Sequence, residues 1–272
     1  LLAETFVRKS ELPSEIVNEY PVPPGERFAA DTFLPTRVRD RRRALAKLEV
    51  ASATGPDRIS SRILKTYAGG CAYPLSVVIR SIARGSEWPD TWREHWAVPL
   101  VKKKSNADPA NYRDVHLATQ MPNASERVLG KHSQRFLERS GAYGQRQFAY
   151  CTGRGHRDAL ALSLLSWLLA LERWQVIVLY CSDVNAAFGR MCAQRLPTKL
   201  STLQLHPRIY KILVNWSAPR RSRVVVAGAF SHMKTLQNSV FQGTVWGPPL
   251  RNCNYTDSSV AMRTEASPTS SP

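Results

Sequence analysis

The stretch Leu171 to Arg190, LERWQVIVLYCSDVNAAFGR, constrains the fold of this chain more than any other. Val176 to Tyr180 is a continuous apolar run, mostly β-branched at its start, the pattern of a strand buried on both faces. It leads into Cys181-Ser182-Asp183, so a carboxylate stands where the strand leaves the core. A buried strand with an Asp at its tip is able to hold a metal ion in fixed geometry. Taken alone, the same Asp reads first as the cap of a helix starting near Asn185. The apolar stretch His156 to Glu172, just upstream, reads as a helix that must also be buried.

The charge balance narrows the partners. The 272 residues carry 38 Lys+Arg against 21 Asp+Glu, a net charge of +17. So large an excess points to a polyanion, most often nucleic acid, with an anionic membrane surface as the other class. No stretch reaches the ~18–20 apolar residues that span a bilayer, and no signal peptide opens the chain. The five cysteines are scattered without metal-site or redox spacing. We therefore expect an intracellular protein, in nucleus or cytoplasm, with reduced thiols and no membrane partner. The first residue is Leu rather than Met, consistent with a fragment.

Residues 1–30, with Pro21-Val-Pro-Pro-Gly25, read as a poorly ordered lead-in. A helix is expected over Pro35 to Val50, with Val38, Leu45 and Leu48 inward and Arg37, Arg39, Arg41, Arg42 and Arg43 outward. The arginine run is either a solvated face or a phosphate-contacting one. Further helices are expected over Ile59–Tyr67, Pro74–Arg84 and Pro207–Trp216. Trp96 to Val101 reads as a strand running into Lys102, Lys103 and Lys104, and Asn111 to Leu117 as its return. A basic hairpin tip either protects a sheet edge or, with Arg113, grips a triphosphate. Strands are expected at Arg223–Ala227 and Thr235–Phe241, then a loop through Gln242-Gly243 entering a helix. From Asn254 the periodicity stops, so 254–272 is expected to be a disordered tail.

The order of the motifs is more specific than any one of them. Gly55-Pro-Asp57, Trp88-Pro, Val98-Pro-Leu-Val-Lys-Lys, Asn111-Tyr-Arg113, Glu126-Arg-Val-Leu, Gln147-Phe, the strand ending in Asp183 with Ala187-Phe188, and Gln242-Gly243 with Gly247-Pro248 follow one another. This succession resembles the reverse transcriptase domain of non-LTR (LINE-type) retrotransposons. The resemblance implies an α+β fold, a right-hand polymerase with fingers over 31–150 and a partial palm over 151–253. It implies an RNA template, a DNA primer and a dNTP as partners, and template-directed DNA synthesis. Asp183 would be the catalytic metal ligand, holding two Mg²⁺ ions that clamp the attacking 3′-hydroxyl and the leaving pyrophosphate. Phe188 would lie under the sugar and exclude a 2′-hydroxyl. Gln242 and Gly243 would lie along the nucleotide and template base, and Lys102, Lys103 and Arg113 would meet the triphosphate.

The chain departs from that pattern in several places. Gly189 stands where the family usually has an Asp after Ala-Phe, and Asp114 where a Pro or small residue is common. No aromatic-Ala-Asp-Asp strand follows Gly243, and Asp257 reads as a lone loop residue. The thumb and the endonuclease domain that many such elements carry upstream are also absent from these residues. One carboxylate cannot hold two divalent ions against their mutual repulsion. The expectation is a fragment inactive by itself, or else a non-catalytic basic nucleic-acid-binding protein derived from a decayed retroelement. A palm sheet without its second hairpin would also leave the Val176–Tyr180 strand with an open apolar edge, hence poor solubility.

Overall fold

The computed structural model describes residues 1–12, 37–102, 105–144, 146–181, 188, 191–193, 195–203, 205–238, 240 and 243–265. They form an α+β fold. Along the chain come α1 (Leu2–Ser10), α2 (Val38–Ala46), α3 (Ser61–Thr66), α4 (Ala68–Gly85), β1 (Glu94–Val101), β2 (Tyr112–Leu117), α5 (Gln120–Arg139) and α6 (His156–Glu172). Then follow α7 (Arg195–Thr202), α8 (Pro207–Trp216), β3 (Arg220–Val226), β4 (Ala229–Phe230), β5 (Lys234–Leu236) and α9 (Gly247–Glu265).

A small mixed sheet organises the front of the molecule. β1 and β2 pair antiparallel, with Leu100 opposite Arg113 and Trp96 opposite Leu117. β1 also pairs parallel with β3, Ala97 opposite Val224. The far edge of β3 carries β5 along Arg220–Ser222 and β4 along Val225–Val226. One sheet thus draws on both sides of residue 150. Its inward face holds His95, Ala97, Ser222 and Val224, and α1 lies there with Phe6 against Ala97 and Val224. The polar lead-in expected from the sequence therefore begins as a helix, because Phe6 has an apolar sheet face to cover. Residues 13–36 lie outside the described set.

Behind the sheet, α2, α4, α5, α7, α8 and α9 share one core. Apolar residues at helical spacing are buried: Leu75, Ile79 and Ile82 of α4 and Ile209, Ile212, Leu213 and Trp216 of α8. Leu45 and Leu48 are buried as expected, whereas Val38, also expected inward, is 49% exposed at the start of α2. α4 ends where Ser86 turns left-handed at φ 58° and its amide reaches Ile82 O at 2.8 Å. α8 starts on Pro207, with His206 Nδ1 accepting from Arg208 N at 3.2 Å. Trp246 packs between Trp88 at 5.3 Å and Trp216 at 5.7 Å, ring centre to ring centre. Gly130 makes room for it: a Cβ there would meet the Trp246 indole at 2.2 Å. Gly55, in the Gly-Pro-Asp turn, likewise lies against the backbone of Ala118 and Thr119.

Several expectations are corrected. Residues 176–180 form no strand, and Val176 and Val178 are 90% and 88% exposed. α6 does form, but it buries none of its residues. A continuous apolar run demands burial, and among the described residues no surface supplies it. The tail is not irregular from 254, because α9 continues to Glu265 and contains Asp257. Buried Asn252 and Cys253 anchor that helix, and Thr256 Oγ1 donates to Ala142 O at 2.7 Å. The strand expected over Thr235–Phe241 is confined to β5 within the described residues, and β3 starts three residues earlier than expected.

Candidate nucleic-acid interface

The basic hairpin stands as the sequence suggested. Lys102 N donates to Asn111 O at 2.8 Å, which continues the ladder beyond Val101. Residues opposite one another in an antiparallel pair share a face, and so do residues two apart. Lys102 therefore shares a face with Leu100 and Arg113, and both cationic residues are exposed. The same face carries Trp96, Arg221 and Arg223 by register. Trp96 meets Phe230 edge to face at 5.2 Å. α1 covers the opposite face, and among the described residues Lys102, Arg113 and Arg221 leave the basic, aromatic face exposed. Interleaved cations and rings are the chemistry of a surface for nucleotides.

α1 also clamps the hairpin. Lys9 Nζ donates to Ala110 O at 3.1 Å and Tyr112 O at 2.8 Å. Burial, then the neighbouring Lys102 charge, lower the Lys9 ammonium. Asp114, the unexpected residue of β2, bonds the His116 ring at 3.1 Å. Burial works against its ionisation, but the bond and charge of His116 hold its carboxyl below the usual range.

Gly243 adopts φ +98° and approaches His116 O at the base of β2. The following amides, Val245 and Trp246, both donate to Glu126 Oε2, at 2.6 and 3.1 Å. Glu126 Oε1 accepts from the Trp216 indole at 2.7 Å. Arg220 lies over the Trp216 ring at 4.2 Å, and its guanidinium hydrogen-bonds His95 Nε2 at 2.9 Å. Burial pushes the Glu126 carboxyl up, and Arg220, Trp216 and the two amides pull it back. Burial likewise lowers Arg220, to about 10.

Burial, Arg220 and His116 together push the His95 imidazole well below its ordinary value. The neutral ring accepts from Arg220 at Nε2. The unfolded chain binds a proton near pH 6.5 that the folded chain refuses, so this contribution is present above 6.5 and lost as pH falls below it. We expect His95 to steepen the loss of stability by up to about 1.4 kcal/mol per pH unit below 6.5. Urea midpoints of wild type and His95→Gln from pH 7.5 to 5 check this; parallel curves would refute it.

Phe188 is half-buried. Its carbonyl accepts from Val240 N at 2.9 Å, Tyr150 meets its ring at 6.3 Å, and the Arg251 guanidinium lies 5.5 Å above it. Gln147 donates to Asn252 Oδ1 at 3.1 Å, and Asn252 donates to Ala149 O at 2.8 Å. The Gln147–Tyr150 segment is thereby fastened to α9 beside Phe188. Asp183, Lys103, Lys104 and Gln242 lie outside the described residues. The structure thus groups Lys102 with Arg113 and places Gly243 at the hairpin base. Sequence reading quoted Glu126 only as part of a motif and gave no role to Arg220 or His95. The signal available was Glu126 three and four residues before Leu129 and Gly130, on the face of α5 that is buried.

Among the described residues, no three His, Cys, Asp or Glu come together as metal ligands, and no helix is long and apolar enough to cross a membrane. No protein-family model matches the chain. Curated relatives do. The chain is 23% identical over 218 residues to a probable RNA-directed DNA polymerase from transposon BS of Drosophila melanogaster, covering 79% of this chain and 24% of that protein. It is 24% identical over 214 residues to the RNA-directed DNA polymerase from mobile element jockey of the same fly, covering 78% and 23%. The jockey polymerase of Drosophila funebris is 24% identical over 217 residues, covering 79% and 24%. The chain thus spans about a quarter of the length of these relatives. Over most of its own length, this chain is related to the reverse transcriptase domain of non-LTR retrotransposons.

Proposed function

We propose that the chain is the fingers and part of the palm of a retrotransposon reverse transcriptase, receiving an RNA template, a DNA primer and a dNTP. The observation that carries this reading is the open sheet face on which Lys102 and Arg113 stand side by side. Lys supplies a point charge and Arg a planar fork, a pair suited to the oxygens of a triphosphate. The family pattern assigns Lys103 to the same triphosphate. Gly243, with no Cβ and a left-handed backbone, lets a base or sugar approach the chain closely. Phe188, braced by Tyr150 and Arg251, is the ring we assign to the sugar, with Gln242 on the base.

Asp183 is the one carboxylate the family pattern places at the metals, and the residues after Gly243 contain no Asp-Asp pair. This donor set does not fit two Mg²⁺ ions. The chain alone therefore binds primed RNA and does not extend it. Its charge of +17 equally suits a non-catalytic RNA-binding protein of retroelement origin. Primer extension on a primed RNA template with Mg²⁺ tests the reading. We expect no product from the purified chain; extension that disappears in Asp183→Asn would overturn the claim of inactivity.

A further inference from the structure

α5 carries Arg127, Lys131 and Arg135 at intervals of four, all exposed. Such residues form one row, about 6 Å apart along the axis at 1.5 Å per residue, a spacing of the same order as that of successive phosphates in a strand. Like charges at this interval oppose the helix, so the row is a local cost relieved only by a counter-charge. The row borders a recess of about 210 Å³ that is also lined by Glu126, Gly130, Gln134, Thr152 and Val245. That is smaller than the cavities that enclose a small-molecule ligand. It is suited to a backbone running across the surface.

The neighbouring helix α2 lies beside the row. Arg127 Nη1 donates to Lys47 O at 3.1 Å, just past the end of α2. Lys131, Arg39 and Arg43 all act on Asp40, lowering its carboxyl after the Arg37 amide that it caps. The acidic groups here are engaged: Asp40 with Arg37 N, Glu138 with the Thr152 amide and hydroxyl, and Glu126 turned inward to Trp216 and the 245–246 amides. Val245, in the wall of the recess, is two residues from Gly243.

We infer that the α5 row and its recess bind the phosphate backbone of single-stranded RNA, leading the strand toward the Gly243 loop. This site is separate from the hairpin face, needs no metal, and rests on the reverse transcriptase reading given above. The recess contributes the Gln134 amide as a hydrogen-bond donor for sugar and phosphate oxygens, and the row contributes charge.

The test is binding of a labelled 20-nucleotide single-stranded RNA to the full chain across a salt series, without Mg²⁺. Each phosphate neutralised on a single strand contributes about 0.7 to the slope of log K against log salt. Replacing Arg127, Lys131 and Arg135 by Gln should reduce the slope by about 2 and weaken binding roughly a hundredfold at 0.1 M salt. A control triple, Arg62→Gln, Lys65→Gln and Lys211→Gln, removes the same charge from exposed positions away from the recess and should change the slope by much less. Circular dichroism should show both variants folded. If wild type binds no RNA, the reading of the chain as an RNA-binding domain fails and the site with it. If wild type binds but the α5 triple keeps its slope, or the control loses as much, the site alone is refuted.

Discussion

Glu126→Ala is expected to destabilise the folded chain by about 3–5 kcal/mol, the cost typical of removing one partner from a buried charged network. The carboxylate is buried and holds three donors at once: the Trp216 indole and the Val245 and Trp246 amides. It is also the counter-charge to Arg220, which is 2% exposed and rests on Trp216. Alanine leaves three donors without their acceptor and takes a counter-charge away from a buried guanidinium. Glu126→Gln keeps an acceptor oxygen but loses the charge and turns an amide N–H₂ toward existing donors, so an intermediate loss is expected. Urea unfolding at pH 7 measures both. The site makes a second demand, since the same carboxylate fastens the loop after Gly243. Hydrogen exchange at the Val245 and Trp246 amides should speed up in Glu126→Gln more than at α8. An unchanged midpoint and unchanged exchange would show that Glu126 holds neither the core nor the loop.

This network marks where sequence reading stops. The hairpin was legible because a short apolar run, a lysine tip and Asn-Tyr-Arg each have a local cause. α4 and α8 were legible because an apolar row at helical spacing has few other uses. Glu126, Arg220 and His95 were not, because a charged residue in a sequence looks the same whether it meets water or a partner 90 or more residues away. Arg41 makes the same point: it belongs to a run read as wholly outward, yet it is 4% exposed. α9 ran past its expected end because its inward contacts use Asn252, Cys253 and Thr256 rather than a periodic apolar row. The run at 176–180 misled for the opposite reason. Apolar β-branched residues state a need for burial, but the surface that meets the need has to come from elsewhere in the fold.

That unmet need gives the other large expected effect. α6 exposes Leu160, Leu162, Leu164, Leu165, Leu168, Leu169 and Leu171, each by 46% or more, and Trp174 beyond it is 96% exposed. A helix apolar all round belongs in an interior, and a patch of this extent on a lone chain drives association. The sequence pointed to poor solubility through an open strand edge, whereas the structure locates the hazard on a helix and the extended segment after it. We expect the wild-type chain to bind a hydrophobic dye strongly and to elute as large species at micromolar concentration. Leu164→Glu with Leu168→Lys places an attractive pair at i and i+4, acid before base, the orientation that supports a helix. The variant should lose most dye binding and shift toward a monomer. Its core should unfold at the wild-type midpoint, because α6 contributes no buried residue. If the midpoint falls together with the dye signal, α6 is packed on the core and its leucines are part of the fold. If the variant becomes monomeric with its midpoint intact, the apolar surface of α6 is a surface for association, and what stabilises the core lies in the Trp88–Trp216–Trp246 cluster and the helices around it.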